Sequence, residues 1–347
     1  MSRILIYGAN GYTGALIAEE ATRRGLKPIL AGRNRDALEV LAQQLKTTRR
    51  VFELRDPAEI ARNLEGIDVL LNCAGPFVNT CAPLLEACLA HKIHYLDITG
   101  EIDVFALCHH AHLRAKHQRI VVAPGVGFDV VPTDCVAAML KQRLPDASEL
   151  VLAFEAGGGP SPGTARTSIA GLAAGGRVRR NGELVDVPLA FKAREFERDG
   201  VKRCAMTIPW GDVYTAFIST GIRDIETYMA VSPKTIARMR WLRYVQPLLR
   251  FDPVRKFLEA RAVASARGPD AERRRATGCH VWGEARSAWG REEKLELKTP
   301  NGYALTVDAS LGILEYVLRA NVPGGYYTPS QLVGADFVLK LPGVALA

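Results

Sequence analysis

The sequence predicts an α/β protein with an N-terminal Rossmann-type, doubly wound parallel sheet and a second α/β domain built on a mainly antiparallel sheet. Three observations predict it. Over the first 134 residues, short apolar runs alternate with helix-period segments. A glycine-rich turn follows the first of these runs. After residue 134 the strand-like runs become longer and lose the alternation with helices, which favours antiparallel pairing.

The first domain is expected to hold six parallel strands joined by crossover helices, because each apolar run is too short for a helix. The strands are expected at 3–7, 28–31, 51–54, 68–72, 94–97 and 119–123. Ala, Leu and Ile recur at spacings of three and four between them, which predicts helices near 12–24, 35–46, 57–63, 80–91 and 103–116.

The second domain is expected to contain strands at 149–155, 201–208, 224–231, 278–287 and 293–298. Residues 267–275, RGPDAERRR, are expected to form a mobile loop. No aromatic residues are interleaved with its basic run, which favours a solvated surface over a nucleic-acid patch. Nucleic acid is therefore not an expected partner.

A helical stretch near 233–263 mixes large apolar residues, such as Trp241 and Tyr244, with arginines, such as Arg238 and Arg240. One interpretation is an amphipathic helix that faces the core and carries solvated arginines. The other is a surface that contacts acidic lipid or a long-chain substrate. The sequence leaves both open, so peripheral membrane contact is a hypothesis at this point.

Composition limits the class of protein. Of 347 residues, 48% are hydrophobic and 24% are charged, as in ordinary globular domains, and the net charge of +8 favours anionic ligands. The 7 cysteines include no C-x-x-C pair, so neither a disulfide framework nor a zinc ribbon is expected. No apolar run is long enough to span a bilayer and the N-terminus does not resemble a secretory signal, so we expect a cytoplasmic location.

The glycine-rich turn at residues 8–14 reads GANGYTG and opens onto the first helix. Glycine suits a tight turn, close approach of the backbone to a pyrophosphate, and close packing of helix on strand. The unpaired amides at the helix start then face the phosphates. The expected cofactor contacts in this turn are Gly8, Asn10, Gly11, Tyr12, Thr13 and Gly14.

Arg33 stands at the end of the second strand, where NAD-preferring proteins usually have an acidic residue for the ribose hydroxyl. A guanidinium can pair with the 2′-phosphate that distinguishes NADP, whereas a carboxylate would repel it. Arg33, together with Asn34 beside it, therefore predicts NADP as the cofactor.

Three later strands run into polar and glycine-containing segments: NCAGPF at 72–77, YLDITGE at 95–101 and GVGFDVVPTD at 125–134. Each alone could be a turn with a helix cap. Because the carboxyl ends of parallel strands meet at one edge of the sheet, the three together outline a site.

With these segments in place, the sequence resembles the saccharopine dehydrogenase-like oxidoreductases, a family that includes trans-acting enoyl reductases. The resemblance also rests on IPWGDVY at 208–214, VWGE at 281–284, TPNGY at 299–303 and YTP at 327–329. It implies a nucleotide-binding domain over 1–134, a substrate or dimerisation domain over 135–324, and a C-terminal segment, 325–347, that returns to the first domain as a helix near 329–340. A homodimer is accordingly one expected assembly.

The same resemblance places Ala74, Gly75 and Pro76 near the nicotinamide of NADP and the loop of Phe128 and Asp129 beside the reaction centre. Members that act on amino acids need anchors for a carboxylate and an ammonium, and no motif of the second domain assigns them. By resemblance, segments 157–168 and 209–216 are closer to the enoyl reductases.

Hydride transfer also needs a proton donor, and Asp129 and Tyr95 are the candidates that we place first. Further candidates are Asp97, Glu101 and Tyr214. No tyrosine has a lysine four residues later, which excludes the Tyr-x-x-x-Lys chemistry of short-chain dehydrogenases, and no metal motif is expected.

The leading hypothesis is therefore an NADPH-dependent reductase of a C=C bond in an acyl or lipid-like substrate. A C–N bond oxidoreductase of saccharopine dehydrogenase type is the second hypothesis, and it predicts a polar, charged pocket in the second domain. A third is an NADP-binding scaffold without turnover that attaches to membranes or lipid surfaces.

Overall fold

The computed structural model describes residues 3–198, 200–249 and 251–347. The chain forms two compact units. The first comprises Met1–Val131 and Tyr303–Gly334, and the second comprises Pro132–Gly302 and Ala335–Ala347.

The strands, in chain order, are β1 (Ile4–Tyr7), β2 (Ile29–Gly32), β3 (Arg49–Val51), β4 (Val69–Asn72), β5 (His94–Asp97), β6 (Val121–Ala123), β7 (Ala147–Ala156), β8 (Gly176–Arg180), β9 (Glu183–Val187), β10 (Ala193–Arg198), β11 (Val201–Thr207), β12 (Asp224–Ala230), β13 (Gly278–Ser287), β14 (Glu292–Pro300), β15 (Gly325–Tyr326) and β16 (Ala345–Leu346).

The helices are α1 (Tyr12–Arg23), α2 (Arg35–Leu45), α3 (Pro57–Leu64), α4 (Phe77–His91), α5 (Ile102–His110), α6 (His112–Gln118), α7 (Val131–Arg143), α8 (Pro162–Ala174), α9 (Asp212–Thr220), α10 (Pro233–Leu242), α11 (Gln246–Leu249), α12 (Asp252–Ser265), α13 (Ala271–Ala276), α14 (Gly302–Arg319) and α15 (Pro329–Val333). A 3₁₀ turn covers Phe337–Lys340.

The first unit is built on a seven-stranded sheet in the order β15-β6-β5-β4-β1-β2-β3. Every pairing in it is parallel. Order 3-2-1-4-5-6 is that of the Rossmann fold, so the predicted doubly wound sheet is confirmed. The register places Tyr7 opposite Asn72 and Asn72 opposite Asp97, so β1, β4 and β5 end side by side.

The second unit is built on a nine-stranded sheet whose main path is β10-β11-β12-β7-β13-β14-β16. Its pairings are antiparallel except for β12 with β7. A mainly antiparallel second domain is thus confirmed. A Cβ on Gly283 of β13 would lie 2.6 Å from Val136 Cγ1 and 2.7 Å from Leu140 Cδ1, so glycine at this position lets α7 pack closely on the sheet.

The C-terminal part differs from the expectation of one helix over 329–340. Gly334 has φ 94°, which favours glycine, and α15 ends before it at Val333. The chain returns to the first unit as Tyr303–Gly334, which brings α14 and β15 with it. The predicted helix near 103–116 is also two helices, α5 and α6, which meet at Ala111.

Two parts of the second unit were not expected. Residues 267–275 were predicted to be a loop, but Asp270 accepts a hydrogen bond from the backbone of Arg273 and begins α13. The hairpin of β8 and β9 turns at Asn181 and Gly182, which both have positive φ. Asn-Gly is a strong hairpin signal that the strand pattern alone did not include.

The segment predicted to be helical near 233–263 forms α10, α11 and α12 in the second unit. Across the part of the chain that the structure describes, none of the helices combines the length and the apolar character that crossing a membrane requires.

Candidate functional site

The glycine turn joins β1 to α1 in the first unit. Gly8 has φ 80°, and a Cβ there would lie 2.8 Å from the backbone nitrogen of Ala74. A Cβ on Gly14 would lie 2.3 Å from the Gly8 carbonyl oxygen, and one on Gly11 would lie 3.2 Å from the same atom. A side chain at Gly8 or Gly14 would therefore collide with neighbouring backbone, so glycine permits the tight turn and the close helix packing that a dinucleotide-binding turn uses.

The start of α1 leaves its first amides without a side-chain cap. Gly11 is the N-cap residue, and the first helical turn contains no acidic residue. Asn10 is exposed, and Tyr12 and Thr13 are half-buried. Since the first N–H groups of a helix have no partner within the helix, they and the helix dipole favour an anionic group such as a pyrophosphate.

Arg33 follows β2 and is exposed, with no carboxylate within ion-pair distance among the residues that the structure describes. Its positive charge acts on Tyr7 at the end of β1: burial raises the pKa of Tyr7 to about 12, and Arg33 opposes that rise. The guanidinium thus lies near the start of the glycine turn with its charge available to an anion. Asn34 caps α2, since its Oδ1 accepts a hydrogen bond of 3.1 Å from the Ala37 N–H.

The turn after β4 is held by Asn72, which is fully buried. The Asn72 Oδ1 accepts a hydrogen bond of 3.0 Å from the Ala74 N–H, and Nδ2 donates to Thr80 Oγ1 at 3.0 Å. Thr80 in turn donates to the Ala74 carbonyl at 2.7 Å. These bonds fix the backbone of Ala74 beside the glycine turn, and Gly75 and Pro76 follow it with a cis peptide bond between them.

Asp97 connects the ends of β5 and β6. The buried carboxylate accepts hydrogen bonds of 3.0 Å from the N–H groups of Thr99 and Gly125 and one of 2.9 Å from the Tyr95 hydroxyl. Tyr95 also accepts from Asn72 Nδ2 at 3.4 Å, so one chain of hydrogen bonds joins three strand ends. Burial raises the pKa of Asp97 to about 6, and burial likewise raises the pKa of Tyr95.

Glu101 caps α4, although it lies 24 residues after Phe77 in the sequence. Its two carboxylate oxygens accept hydrogen bonds of 2.8 Å from the backbone N–H groups of Phe77 and Val78. A carboxylate at this position compensates the positive end of the helix dipole. The contact fixes the loop that follows β5 against the turn that contains Pro76.

Asp129 lies partly buried in the loop after β6, next to Gly100. A Cβ on Gly100 would lie 3.1 Å from Asp129 Oδ2, so glycine leaves room for the carboxyl group. Burial, and then the negative charge of Glu101, raise the pKa of Asp129 to about 7. A carboxyl group with this pKa can both give and accept a proton near neutral pH.

Helix α14 supplies a part of the site that the sequence analysis did not find. Thr306 Oγ1 accepts a hydrogen bond of 2.9 Å from the Phe128 N–H, which fixes the residue before Asp129. Tyr303 packs edge-on against Tyr12 of the glycine turn, with ring centroids 4.9 Å apart. The TPNGY motif at 299–303 marks where this helix begins, although it carries no sign of its packing.

The structure brings most of the predicted residues together in the first unit. The glycine turn, Arg33, the 74–76 turn and Asp129 follow strands that end at the same edge of the sheet, and Tyr95 lies within β5. Tyr95 is fully buried with its hydroxyl bonded to Asp97. Tyr214 belongs to α9 of the second unit, where the Arg179 guanidinium lies 5.8 Å from the centre of its ring.

Two buried thiols lie close to Asp97, on α4 and α5. Cys81 Sγ and Cys108 Sγ are 3.6 Å apart, and ligand atoms of both lie within 4.8 Å of one on Asp97. Burial raises the pKa of Cys108 well above its usual value, and the Asp97 oxygens already accept three hydrogen bonds. The described contacts are those of a packed, hydrogen-bonded group.

The fold and the site define a class: a Rossmann-type dinucleotide-binding domain combined with a second domain on a mixed sheet. Comparison with known proteins identifies the family of the first domain. Residues 4–121 match the family model of the saccharopine dehydrogenase NADP binding domain. The expected resemblance to saccharopine dehydrogenase-like oxidoreductases is confirmed over these residues, and the match supports NADP as the cofactor.

Named relatives show the same similarity at modest identity. The chain is 25% identical over 171 residues to the human (Homo sapiens) saccharopine dehydrogenase-like oxidoreductase, covering 44% of this chain and 40% of that protein. It is 31% identical over 158 residues to the trans-acting enoyl reductase of Mycobacterium leprae (strain TN), covering 41% of this chain and 36% of that protein. The matches thus span about two fifths of these relatives' lengths.

A solved structure is similar over the whole chain. Apo histidine-tagged saccharopine dehydrogenase (L-Glu forming) from Saccharomyces cerevisiae has a TM-score of 0.66 at 10% sequence identity, with 100% of both chains covered. At this identity the similarity establishes the two-domain fold.

Proposed function

We propose that this protein is an NADP(H)-dependent oxidoreductase that reduces a C=C bond in an acyl or other lipid-like substrate. The observation that carries the proposal is Asp129, a partly buried carboxyl group with a pKa of about 7 at the edge of an NADP-binding sheet. An acid of this strength at that edge has the properties of a proton donor for a reduction at neutral pH.

The residues that would hold NADP are those of the glycine turn and the neighbouring strand ends. The glycine turn and the first amides of α1 would hold the pyrophosphate, the exposed Arg33 would pair with the 2′-phosphate, and the 74–76 turn would face the nicotinamide. NADPH, when bound, supplies the hydride. Asn34 would contribute through the α2 cap that fixes the backbone beside Arg33.

Asp129 would deliver the proton that accompanies hydride addition. When hydride adds to the β-carbon of a conjugated C=C bond, negative charge develops on the carbonyl oxygen and the α-carbon takes a proton. The protonated Asp129 carboxyl would give that proton and become a carboxylate, whose charge Glu101 disfavours. Return of a proton from solvent is therefore favoured near neutral pH.

Tyr95 would act on the site through Asp97 and not as a donor to substrate. Its hydroxyl is fully buried and already donates to the Asp97 carboxylate at 2.9 Å. Asp97 in turn holds the N–H of Gly125, at the start of the loop that carries Asp129. Tyr95 is thus proposed as a positioning residue.

One specific observation favours the alternative of a C–N bond oxidoreductase. It predicts a charged pocket in the second unit, and that unit has a cavity of about 370 Å³ whose lining includes Lys192, Arg194, Glu226 and Glu284. These charges are already paired, Lys192 with Glu226 at 2.6 Å and Arg194 with Glu284 at 2.9 Å. Paired groups are weaker anchors for an amino acid, so we place the C=C substrate first.

The test is NADPH oxidation by the purified chain with two substrate panels. Enoyl thioesters of increasing acyl length form the first, and keto acids paired with amines form the second. The proposal expects turnover with enoyl thioesters that drops at least a hundredfold in Asp129→Asn, with NADPH affinity retained. Turnover only with the keto acid and amine pairs would instead establish the C–N reaction, and saturable NADPH binding without turnover on either panel would establish a scaffold.

A further inference from the structure

The outer side of the 233–265 segment carries a concentration of exposed large apolar side chains. Among the described residues, seventeen large hydrophobic side chains are exposed, and six of them lie within 241–257, with exposed fractions from 38% to 84%. We call these six the aromatic patch: Trp241, Tyr244, Leu248, Phe251, Val254 and Phe257.

The patch residues lie on successive helical stretches. After α10, the N–H groups of Tyr244 and Leu248 donate to the carbonyl three residues earlier, at 3.1 and 3.0 Å. Phe251 has extended backbone and is the N-cap residue of α12, so the helical turns are interrupted there. Residues three or four apart within one helical stretch lie on the same side, which groups Trp241, Tyr244 and Leu248, and separately Val254 and Phe257.

The inner side of the same segment is packed against the second unit. Ile236 and Leu249 are buried, and α11 and α12 both contact α8. The Arg243 guanidinium donates to the carbonyl oxygens of Leu189 and Ala190, and Gln246 donates to Ala173 at 3.4 Å. The segment therefore has a buried side of its own, and the exposure of the aromatic patch is not a consequence of an unpacked helix.

The charges around the aromatic patch are mainly positive. Among the side chains described in this segment, the acidic one is Glu259, which pairs with Arg255 at 3.5 Å. The exposed basic residues are Lys234, Arg238, Arg240, Lys256 and Arg261. Two such surfaces on different copies of the chain would repel each other, whereas an anionic surface would be attracted.

We propose that the aromatic patch, together with the exposed Lys234, Arg238, Arg240, Lys256 and Arg261, which we call the basic rim, binds the surface of an anionic phospholipid bilayer. Trp and Tyr are favoured at the level of lipid headgroups, where their rings are buried and their polar atoms remain hydrated. Phe and Leu side chains enter the acyl boundary, and each Lys or Arg near the surface adds attraction to anionic headgroups. The protein would then contact the membrane through the exposed side chains of the 241–257 region.

Vesicle sedimentation of the full chain tests the proposal and needs no enzymatic activity. Vesicles of equal phosphatidylglycerol and phosphatidylcholine are expected to bind the protein at least tenfold more tightly than phosphatidylcholine vesicles, and less tightly as salt rises. Replacing Trp241, Tyr244, Phe251 and Phe257 together with Ser is expected to weaken binding to the anionic vesicles by at least tenfold. A control, Trp289→Ser with Leu113→Ser, removes two highly exposed apolar side chains elsewhere and is expected to bind as the wild type does.

A second test distinguishes attraction by the basic rim from attraction by the net charge of the whole protein. Arg240→Glu with Lys256→Glu is expected to weaken vesicle binding at least tenfold, whereas Arg62→Glu with Lys116→Glu changes net charge equally and is expected to have less than a threefold effect. Unchanged NADPH affinity in every variant shows that the first unit is still folded. The proposal is overturned if wild type does not bind anionic vesicles, if patch and control variants bind alike, or if the patch variant loses self-association rather than vesicle binding.

Discussion

The pH dependence of stability should change when Asp129 is replaced by Asn. The folded pKa of Asp129 is about 7, raised from 3.8 by burial and by Glu101. Between about pH 4 and pH 7 the unfolded chain has lost this proton and the folded chain retains it, so the folded state binds more protons and its stability falls as pH rises. Above pH 7 this loss of stability is complete, and below pH 4 the ionisation of Asp129 costs no stability.

The size of the effect follows from the shift in pKa. A rise of roughly 3 units corresponds to about 4 kcal/mol of stability lost between pH 4 and pH 8. For a unit of this size, 1 kcal/mol moves the unfolding midpoint by about 2–4 °C. The unfolding temperature of Asp129→Asn relative to wild type should therefore rise by roughly 8–16 °C across this range.

Thermal unfolding at half-unit steps from pH 4 to pH 8 measures this, with Asp36→Asn on the exposed first turn of α2 as the matched control. The control curve should run parallel to wild type. If the Asp129→Asn curve also runs parallel to wild type, the carboxyl group has no raised pKa and the proposed proton donor is refuted. With a substrate that is turned over, the wild-type rate of NADPH oxidation should fall above pH 7 because Asp129 loses its proton.

Three further variants, and one control variant, test the cofactor site and its support. Arg33→Gln should weaken NADPH binding by roughly 10–100-fold and NADH binding by much less, measured by titration; equal weakening would exclude a contact with the 2′-phosphate. Gly14→Ala places a Cβ 2.3 Å from a backbone oxygen and should cost about 1–3 kcal/mol of stability with loss of NADPH affinity. Gly171→Ala, also within a helix but with nothing within 4 Å, should instead stabilise by about 0.5–1 kcal/mol in the same unfolding assay. Tyr95→Phe leaves Asp97 without one hydrogen bond and should lower stability by about 1–3 kcal/mol, so an unchanged unfolding temperature would contradict the proposed network.

The parallel strands could be predicted from the sequence because burial on both faces of a sheet produces short, continuous apolar runs. β1 and β4, all of whose residues are buried, are the clearest examples. The glycine turn was also readable, because Gly8 and Gly14 are required by backbone contacts that no other residue permits. Both features depend on residues that are close together in the sequence, so they can be predicted from it.

The contacts that complete the site are long-range, and the sequence does not specify them. Glu101 caps a helix that begins 24 residues earlier, and Thr306 holds the Phe128 backbone across 178 residues. Helix α14 has nine buried residues spread around it, so it lacks the single apolar stripe that identifies a surface helix. Its return to the first unit depends on the whole topology.

Two elements of the second unit are marked by single residues or residue pairs and not by an apolar pattern. Asn181-Gly182 marks the β8–β9 hairpin by residue type alone, and Asp270 marks the start of α13. The β8–β9 hairpin and α13 both have a basic or polar composition, which is also typical of loops. Short strands such as β9, which is mostly exposed, show little of the alternation on which strand prediction depends.

Binding of NADPH to the unmodified chain tests the central claim most directly. Calorimetric titration of the full protein with NADPH, and separately with NADH, should show saturable binding of both and at least a tenfold preference for NADPH, because Arg33 and the first turn of α1 together favour the additional phosphate. Absence of saturable binding, or equal affinity for the two dinucleotides, would contradict the assignment of the glycine turn and Arg33.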